Sequence, residues 1–252
     1  QERRHYEALA KLGAVFHADD TTGKCTRIDI ASALLMDEDL RIIAQFNDVE
    51  MLSIENSRVT DKGLEHIGRL SSLRWLILKK NSKLTGTGFA RLIRNGPKFQ
   101  SLVLSDCPIT DEGLTAISKI DSLVSISLAG TKITDNGLGL LSNAKTLEHL
   151  VLARTAISNG GIKKICELSK LKSLLLHETA IDDDAFSDIV RLRNLSWLDV
   201  SNTNVTDRAI PNMIQMKKLT VLRLNNTKVT PNGHRRLKEH LPNAVVEYQS
   251  TP

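Results

Sequence analysis

An apolar position recurs along most of the chain at a nearly fixed interval of 24 residues. Each segment has the pattern L-x-x-L-x-L, two free positions, a Ser, Cys or Thr, and then [IV]-T-D-x-G-L or a relaxed version of it. A unit this short cannot bury its own apolar face, so consecutive units must stack on one another. The period therefore predicts a solenoid. The segments begin at Val49, Leu73, Phe99, Leu123, Leu147, Leu171, Leu195 and Leu219.

Within a unit the pattern changes from that of a strand to that of a helix. In the segment that begins at Leu123, alternation with period 2 directs Ile126 and Leu128 into the core. Thr134 and Asp135 then supply an N-cap and a first-turn carboxylate for a short helix. A threonine column where the chain leaves the sheet is expected to hydrogen-bond the backbone of the next turn. The column consists of Thr131, Thr155, Thr179, Thr203 and Thr227.

The ends of the chain depart from the repeat, and we predict a cap at each end. Residues 1–12 carry apolar positions at helical spacing, Gly13 is a stop signal, and a short strand follows before a turn. We therefore predict a capping helix, strand and turn over residues 1–24, repeats over residues 25–242, and a capping strand and tail over residues 243–252. The uninterrupted period favours one elongated domain. The turn from Leu73 to Phe99 spans 26 residues, and we expect its extra residues in a surface loop.

These features resemble the leucine-rich repeat family over residues 25–248. LEHLVLARTAIS and LSWLDVSNTNVTD look like the short, helix-bearing repeats of bacterial proteins, including planctomycete-type sequences, and like the cysteine-containing repeats of F-box proteins. The resemblance implies an α/β, right-handed solenoid of about nine repeats with a curved parallel sheet on its concave face, short helices on its convex face, and a macromolecular partner on the sheet. Thr mostly replaces the usual Asn or Cys at the ninth position, and no F-box precedes the repeats. A ubiquitin-ligase role therefore has no support.

The outward-facing strand positions define a candidate binding surface for an unknown protein partner. Trp75 and Trp197 are the two tryptophans, and each lies at the third position of its repeat with apolar fifth-position residues beside it. Exposed apolar clusters mark interaction sites, and aromatic side chains dominate their energetics. Packing within the sheet, or coverage by a cap or loop, is the alternative explanation. The candidate binding residues are Trp75, Ile77, Lys79, Val103, His149, Val151, Arg154, Leu175, His177, Glu178, Trp197, Asp199 and Arg223.

No motif in the sequence has the pattern of a catalytic, metal or cofactor site. His149 and His177 lie on adjacent turns but about 13 Å apart along the strand direction, which is too far to share a metal ion. Asp199 can polarise an imidazole, but no Ser or Cys is suitably placed as a nucleophile. The glycine-rich segments do not match a phosphate-binding loop. We therefore expect a non-enzymatic scaffold without metal or cofactor.

The net charge of +5 raises the alternative of nucleic-acid binding. Acidic residues open the predicted helices and basic residues close them, an order that complements the helix dipole. This structural explanation makes nucleic acid the less favoured partner, and binding of nucleic acid or another polyanion at a basic helix-exit edge stays open as the alternative. A structural spacer within a larger protein is a third alternative. The helix-exit residues are Arg69, Lys119, Lys145, Lys170, Arg191, Arg193, Lys217 and Lys218.

Three scattered cysteines do not form a disulfide framework, so Cys25, Cys107 and Cys166 are expected to be buried free thiols. No apolar run reaches the roughly 18 residues of a membrane span. Because the chain begins at Gln1 rather than Met, we expect that an upstream segment such as a signal peptide, an anchor or another domain was removed. The compartment stays open. We expect a monomer or weak self-association.

Overall fold

A computed structural model describes residues 2–94 and 96–249 of the chain. These residues belong to two compact units, one over residues 1–126 and one over residues 127–252. In the described residues, no helix combines the length and the apolar character that crossing a membrane requires. The predicted C-terminal tail from Ser250 onward lies outside the described residues, and the predicted domain boundaries at residues 24 and 242 stay predictions.

The first unit begins with a helix and a strand where the N-terminal cap is predicted. Strand β1 (Val15–Ala18) follows helix α1 (Glu2–Ala10) and pairs antiparallel with β2 (Cys25–Ala31), so it covers the edge of the first repeat strand. From β2 onward the strands pair parallel in chain order as far as β5. The remaining elements of this unit are α2 (Asp37–Ile43), β3 (Met51–Glu55), α3 (Leu64–Ile67), β4 (Trp75–Lys79), α4 (Phe89–Leu92), β5 (Ser101–Val103) and α5 (Asp111–Ile117), and β6 (Ser125–Ser127) spans the unit boundary.

The second unit alternates strands with short helices, and two of these helices follow a 3-10 turn. Strands β7 to β11 pair parallel in chain order. The elements are α6 (Asp135–Leu140), β7 (His149–Val151), α7 (Asn159–Ile165), β8 (Ser173–Leu175), α8 (Phe186–Ile189), β9 (Trp197–Asp199), α9 (Ile210–Met213), β10 (Val221–Arg223), α10 (Pro231–His240) and β11 (Val245–Glu247). Short 3-10 turns at Leu141–Asn143, Asp183–Ala185 and Asp207–Ala209 adjoin α6, α8 and α9.

The core of each unit consists of the leucines and isoleucines that the repeat pattern directs inward. In β7, Leu150 is completely buried, whereas His149 is exposed and Val151 half-buried. The same alternation holds in β4 of the first unit, where Leu76 and Leu78 are completely buried. Each buried Leu contributes about 1.5–3 kcal/mol through the apolar surface it removes from water. This arrangement confirms the predicted α/β repeat solenoid within each unit.

Threonine caps α5, α6, α10 and the 3-10 turn before α9, as the Thr-Asp pairs and Thr230 predict. The hydroxyl of Thr110 accepts a hydrogen bond from the Gly113 amide at the start of α5, and the hydroxyl of Thr230 does the same for Gly233 at the start of α10. Pro231 occupies the first turn of α10, where its missing N–H costs no helical hydrogen bond. The prediction is wrong for α3, which begins at Leu64, so Asp61 lies ahead of the helix rather than in its first turn.

The aspartate that follows each capping residue has a second role, because it joins its repeat to the next one. The amide of Ser158 donates to Asp135 Oδ1 at 2.8 Å, and the Ser158 hydroxyl donates to Asp135 Oδ2 at 2.5 Å. Charge-assisted hydrogen bonds of this kind are roughly twice as strong as neutral ones. We call this series the carboxylate ladder. Its other pairs are Asp37–Thr60, Asp61–Thr85, Asp183–Thr206 and Asp207–Thr230.

Two positions depart from the carboxylate ladder. Where the helix cap is Asp182 rather than Thr, the preceding repeat supplies Asn159, whose amide donates to Asp182 Oδ1 at 2.7 Å and accepts from the Asp182 N–H at 3.1 Å. In the 26-residue turn, Gly86 replaces the aspartate and has a φ of 93°. A Cβ on Gly113 would lie 2.8 Å from the Gly86 Cα, so the backbones of these repeats approach closely instead.

The threonine column forms different hydrogen bonds from those that we predict. The Thr155 hydroxyl donates to the Leu152 carbonyl at 2.5 Å, three residues earlier in its own turn rather than in the next turn. Thr131, Thr179, Thr203 and Thr227 repeat this bond. The longer amide of Asn81 instead reaches the Ile54 carbonyl of the preceding repeat at 2.9 Å. The expectation of hydrogen bonds between turns is therefore wrong for threonine. Its side chain is shorter than that of Asn81, and its hydroxyl bonds the backbone of its own turn instead.

The eighth residue of each repeat from Val49 onward has a left-handed backbone. Its N–H donates to a carbonyl of the next repeat, as Glu178 does to Ser201 at 3.0 Å, and this extends the pairing beyond the strand. Only glycine, and to a lesser extent Asn and Asp, adopts this conformation without a steric cost. The non-glycine residues at this position, with φ between 50° and 59°, are Asn56, Lys80, Asp106, Arg154, Glu178, Asn202 and Asn226.

Candidate binding surface

In the second unit, equivalent strand residues line up as two rows across β7 to β11. Because side chains alternate between the two faces of a strand, residues of the third and fifth positions share one face. We call this the second-unit sheet face. Its third-position row is His149, Ser173, Trp197, Val221 and Val245, and its fifth-position row is Val151, Leu175, Asp199, Arg223 and Glu247.

Trp197 is the largest exposed apolar side chain of this face. It is 38% exposed, and the guanidinium carbon of Arg223 lies 5.3 Å from the centre of its ring. Arg223 is held in turn by Glu247, since its Nε lies 2.9 Å from a carboxylate oxygen of Glu247. A cation–π contact at an exposed site contributes about 0.5–1 kcal/mol. The indole is therefore orientated before any partner arrives.

Asp199 differs from the expectation that it faces solvent. It is only 5% exposed. Its Oδ1 accepts a hydrogen bond from the Ser201 amide at 3.0 Å, which turns the carboxylate back against the backbone. Its Oδ2 lies 3.5 Å from Nδ1 of His177. Asp199 therefore lies buried between Leu175 and Arg223 of the same row, and its carboxylate does not face a partner.

Three polar atoms in this part of the second unit have almost no accessible surface of their own and no hydrogen-bond partner among the described residues. They are Nδ1 of His177, Nε of Arg223 and Oδ1 of Asn225, although Nε of Arg223 lies within ion-pair distance of Glu247. Buried polar atoms are nearly always hydrogen-bonded, and an exception calls for a specific explanation. His177 remains partly exposed as a residue, so its imidazole can still reach a partner that approaches the sheet face.

In the first unit, Trp75 lies on a second apolar surface, which we call the first-unit patch. Trp75, Ile77 and Val103 are all half-buried. Ile77 pairs with Val103 across β4 and β5, and Trp75 pairs with Met51 and Ser101. Nζ of Lys79 lies 3.8 Å from a carboxylate oxygen of Glu55, at the end of the same strands. Because Trp75 is less exposed than Trp197, this patch offers a smaller anchor.

The predicted binding residues divide between the two units. Four of them, Trp75, Ile77, Lys79 and Val103, belong to the first-unit patch. The other nine belong to the second unit, where His149, Trp197, Arg154 and Glu178 are exposed and Val151, Leu175, His177 and Arg223 are half-buried. Arg154 and Glu178 occupy the left-handed eighth position at the ends of β7 and β8, which places them at the rim of the sheet face.

Sequence reasoning did not include Val245 and Glu247 among the binding residues, although they complete both rows. Val245 is 61% exposed and pairs with Val221, while Glu247 pairs with Arg223. The signal is present in the sequence, because Val245 follows Val221 at the same 24-residue interval as the other strands. Assigning residues 243–252 only to a cap hid this continuation of the sheet face.

Metal-ligating side chains and thiols can be located in the described part of the chain. No three His, Cys, Asp or Glu side chains come together as a metal site requires, within the described part of the chain. Cys25, Cys107 and Cys166 are buried free thiols, as predicted. Burial raises the pKa of all three and takes that of Cys107 to about 11, so none is a ready thiolate nucleophile.

Comparison with known proteins supports the repeat assignment. Residues 97–118 and 143–166 match the family model described as Leucine Rich repeat. An internalin C2 from Listeria monocytogenes is 22% identical, with a TM-score of 0.63 over 85% of this chain and 84% of its own. An internalin (InlF) from the same species is 16% identical, with a TM-score of 0.57 over 100% of this chain and 89% of its own. No curated protein matches the chain.

At these identities the two solved structures share the fold with this chain, and they say nothing about its partner. The predicted resemblance to leucine-rich repeats is confirmed by the family match together with the fold. The finer resemblance to planctomycete-type and F-box repeats is not confirmed.

Proposed function

We propose that this leucine-rich repeat protein is a non-enzymatic scaffold that binds another protein on its second-unit sheet face. The observation that supports this most directly is the exposed indole of Trp197, which is held in place by Arg223. Exposed tryptophans that are already ordered lose little conformational entropy on binding, and they are enriched among the residues that dominate interface energies.

The surroundings of Trp197 suit a partner that is part apolar and part polar. Exposed Val245 and half-buried Val221 and Leu175 extend the apolar surface. Half-buried His177, and exposed Arg154 and Glu178 at the rim of the face, supply polar groups that a partner can contact. Such a mixture of an apolar centre with polar groups beside it is typical of protein interfaces.

Affinity capture with matched baits tests this proposal. The wild-type protein, Trp197→Ala and Leu140→Ser are used as baits in lysate and secreted fractions of the source organism. Leu140 is the control because it is 37% exposed on helix α6 of the same unit. A captured protein is then purified, and its affinity for each folded bait is measured by isothermal titration calorimetry.

We expect the wild type and Leu140→Ser to bind the partner equally. Trp197→Ala should bind it about 30-fold more weakly, corresponding to a hot-spot loss of about 2 kcal/mol. Equal binding by all three folded baits would contradict the proposal and favour a structural spacer. Trp75→Ala is a further bait, and loss of binding in Trp75→Ala but not in Trp197→Ala would assign the interaction to the first-unit patch instead. If the purified protein without a partner has the mass of an oligomer, and Trp197→Ala has the mass of a monomer, the protein associates with itself through the same face.

A further inference from the structure

The net charge of the chain is confined to the second unit. Residues 1–126 hold 17 basic and 17 acidic residues, whereas residues 127–252 hold 17 basic and 12 acidic residues. The formal charge of +5 therefore belongs to one half of the sequence. A solvated surface with interspersed charges does not require this asymmetry, so the position of the excess basic residues is informative.

The excess lies in the segments that connect each helix, or the turn that ends it, to the next strand. There are five of these: residues 144–148, 166–172, 190–196, 214–220 and 241–244, which we call the helix-exit edge. Together they hold seven basic and two acidic residues, and the rest of the unit holds ten of each. The basic residues, all exposed, are Lys145, Lys170, Lys172, Arg191, Arg193, Lys217 and Lys218.

Basic side chains from neighbouring repeats face the same shallow depressions along this edge. Lys170, Lys172 and Lys218 line one depression together with Glu148, Asn194 and Ser196. Lys217 and Lys218 also line the next one with Arg193, and Lys217 lines a third beside Glu239 and His240. The cations thus follow one another from repeat to repeat rather than being scattered over the surface.

Intramolecular partners neutralise only part of this charge. Lys172 pairs with Glu148 at 2.7 Å, and Arg191 pairs with Glu167 and Asp188. These ion pairs are exposed and contribute little, so a competing anion can replace them. Other cations bond only neutral oxygens, such as Lys218 with Asn194 Oδ1 at 2.5 Å and Lys217 with the His240 carbonyl.

We propose that the helix-exit edge of the second unit binds the phosphodiester backbone of double-stranded DNA without reading its sequence. At about 4.8 Å between repeats, the five segments extend over about 19 Å and carry about one net positive charge per 4 Å. One strand of a duplex carries one phosphate per roughly 3.4 Å, so the two charge densities are complementary.

The composition of the edge favours backbone contact over base recognition. Its basic residues are mainly lysines, which contact phosphates as point charges, and the five segments contain no Phe, Tyr or Trp that could stack on a base. Each segment of the edge ends one residue before the third-position row of the second-unit sheet face, and none of its basic residues belongs to the two rows of that face.

Two variants with the same change in net charge test this inference. The edge variant combines Lys170→Gln, Arg193→Gln, Lys217→Gln and Lys218→Gln. The control variant changes four exposed basic residues elsewhere in the unit, as Lys132→Gln, Lys163→Gln, Arg208→Gln and Lys228→Gln. Binding of a short fluorescein-labelled DNA duplex is followed by anisotropy between about 50 and 200 mM salt. Heparin and anionic phospholipid vesicles are separate competitors, and circular dichroism confirms that both variants are folded.

The wild type and the control variant should bind the duplex with a steep salt dependence. The edge variant should bind at least tenfold more weakly at low salt, and the slope of log K against log salt should decrease by about 3 to 4 for four lost phosphate contacts. Equal losses in both variants would overturn the proposal, because net charge alone would then explain binding. It would also be overturned by a wild type that binds no duplex at low salt, or that binds only heparin or vesicles.

Discussion

Asp183 accepts two hydrogen bonds from Thr206, which lies 23 residues later in the chain. The Thr206 amide and the Thr206 hydroxyl each donate at 2.7 Å, one to each carboxylate oxygen. Thr206 also caps the following helical turn, because its hydroxyl accepts from the Arg208 amide. One carboxylate therefore fixes both the position of the next repeat and the start of its helix.

This relationship predicts that Asp183→Ala lowers the free energy of unfolding by about 2–3 kcal/mol, since hydrogen bonds to a charged acceptor contribute more than neutral ones. Asp184→Ala is the matched control, because Asp184 is the exposed neighbouring residue. It should change stability by less than about 0.5 kcal/mol. Urea unfolding of the two variants measures the difference, and similar losses would show that the ladder has no special role.

The strand register predicts opposite results for two adjacent residues of β7. Leu150→Ala should cost about 2–5 kcal/mol, because Leu150 is completely buried and its truncation leaves a cavity. Val151→Ala should cost under about 1 kcal/mol, because Val151 lies half-buried on the sheet face. Chemical denaturation of both variants checks this, and equal losses would mean that the register is wrong.

The left-handed backbone of Glu178 predicts a stabilising substitution. Glu178→Asn should raise the free energy of unfolding by about 0.5–1 kcal/mol, because Asn tolerates this conformation better than Glu does. The next two repeats already have Asn202 and Asn226 at this position. Glu178→Gln removes the charge but keeps the steric cost, so it should give no gain. If Gln stabilises as much as Asn in thermal unfolding, the charge rather than the backbone is responsible.

The lowered pKa of Asp182 predicts how stability responds to acid. Hydrogen bonds from the Asp184 amide and the Asn159 side chain hold the pKa of this carboxyl below its ordinary value of 3.8. The contribution of Asp182 to the free energy of unfolding is therefore complete above the unfolded-state pKa, and it is lost as the pH falls through the lower folded-state pKa. NMR titration should give a pKa below 3.8 in the wild type. Asn159→Ala should raise it, and an unchanged value would exclude Asn159 as a cause.

The buried thiols predict slow modification of the native protein. At about pH 8, only about one Cys107 thiol in a thousand is ionised, since its pKa is about 11. Iodoacetamide should therefore leave Cys107 unmodified in the native state and alkylate it promptly in concentrated guanidinium. Mass spectrometry of the Cys107 peptide follows the reaction. Rapid labelling of the native protein would mean that this turn opens readily.

The sequence predicts much of this fold because the repeat imposes one pattern many times. Leu150 and Val151 can be assigned to opposite faces from period-2 alternation alone, and Thr230 and Pro231 predict a helix start from local chemistry. The hydrogen bond of Asp183 to Thr206 is harder to foresee. Each residue is visible in its own repeat, but their contact depends on the offset between adjacent turns, which local patterns do not contain.

The candidate binding surface could be predicted only in outline. The rows of outward positions follow from the register, but the exposure of each side chain depends on its neighbours. Asp199 shows the difference, because a hydrogen bond from Ser201 turns its carboxylate away from solvent. The contact of Arg223 with Trp197 also joins different positions of adjacent strands, the fifth and the third. Such diagonal contacts depend on side-chain rotamers, which the repeat pattern of the sequence does not predict.

The carboxylate ladder also limits how a gene for this chain can lengthen by tandem duplication. A second copy of residues 195–218 would place one Asp207 beside another Thr206, the same pairing that joins the existing repeats. A second copy of residues 171–194 would instead bring Asp183 against Asp182 and oppose two carboxylates. Repeats that match in length and apolar pattern are thus restricted to particular neighbours. The order in which the repeats arose is therefore recorded in the pairing of each acidic residue with the capping residue of the next repeat.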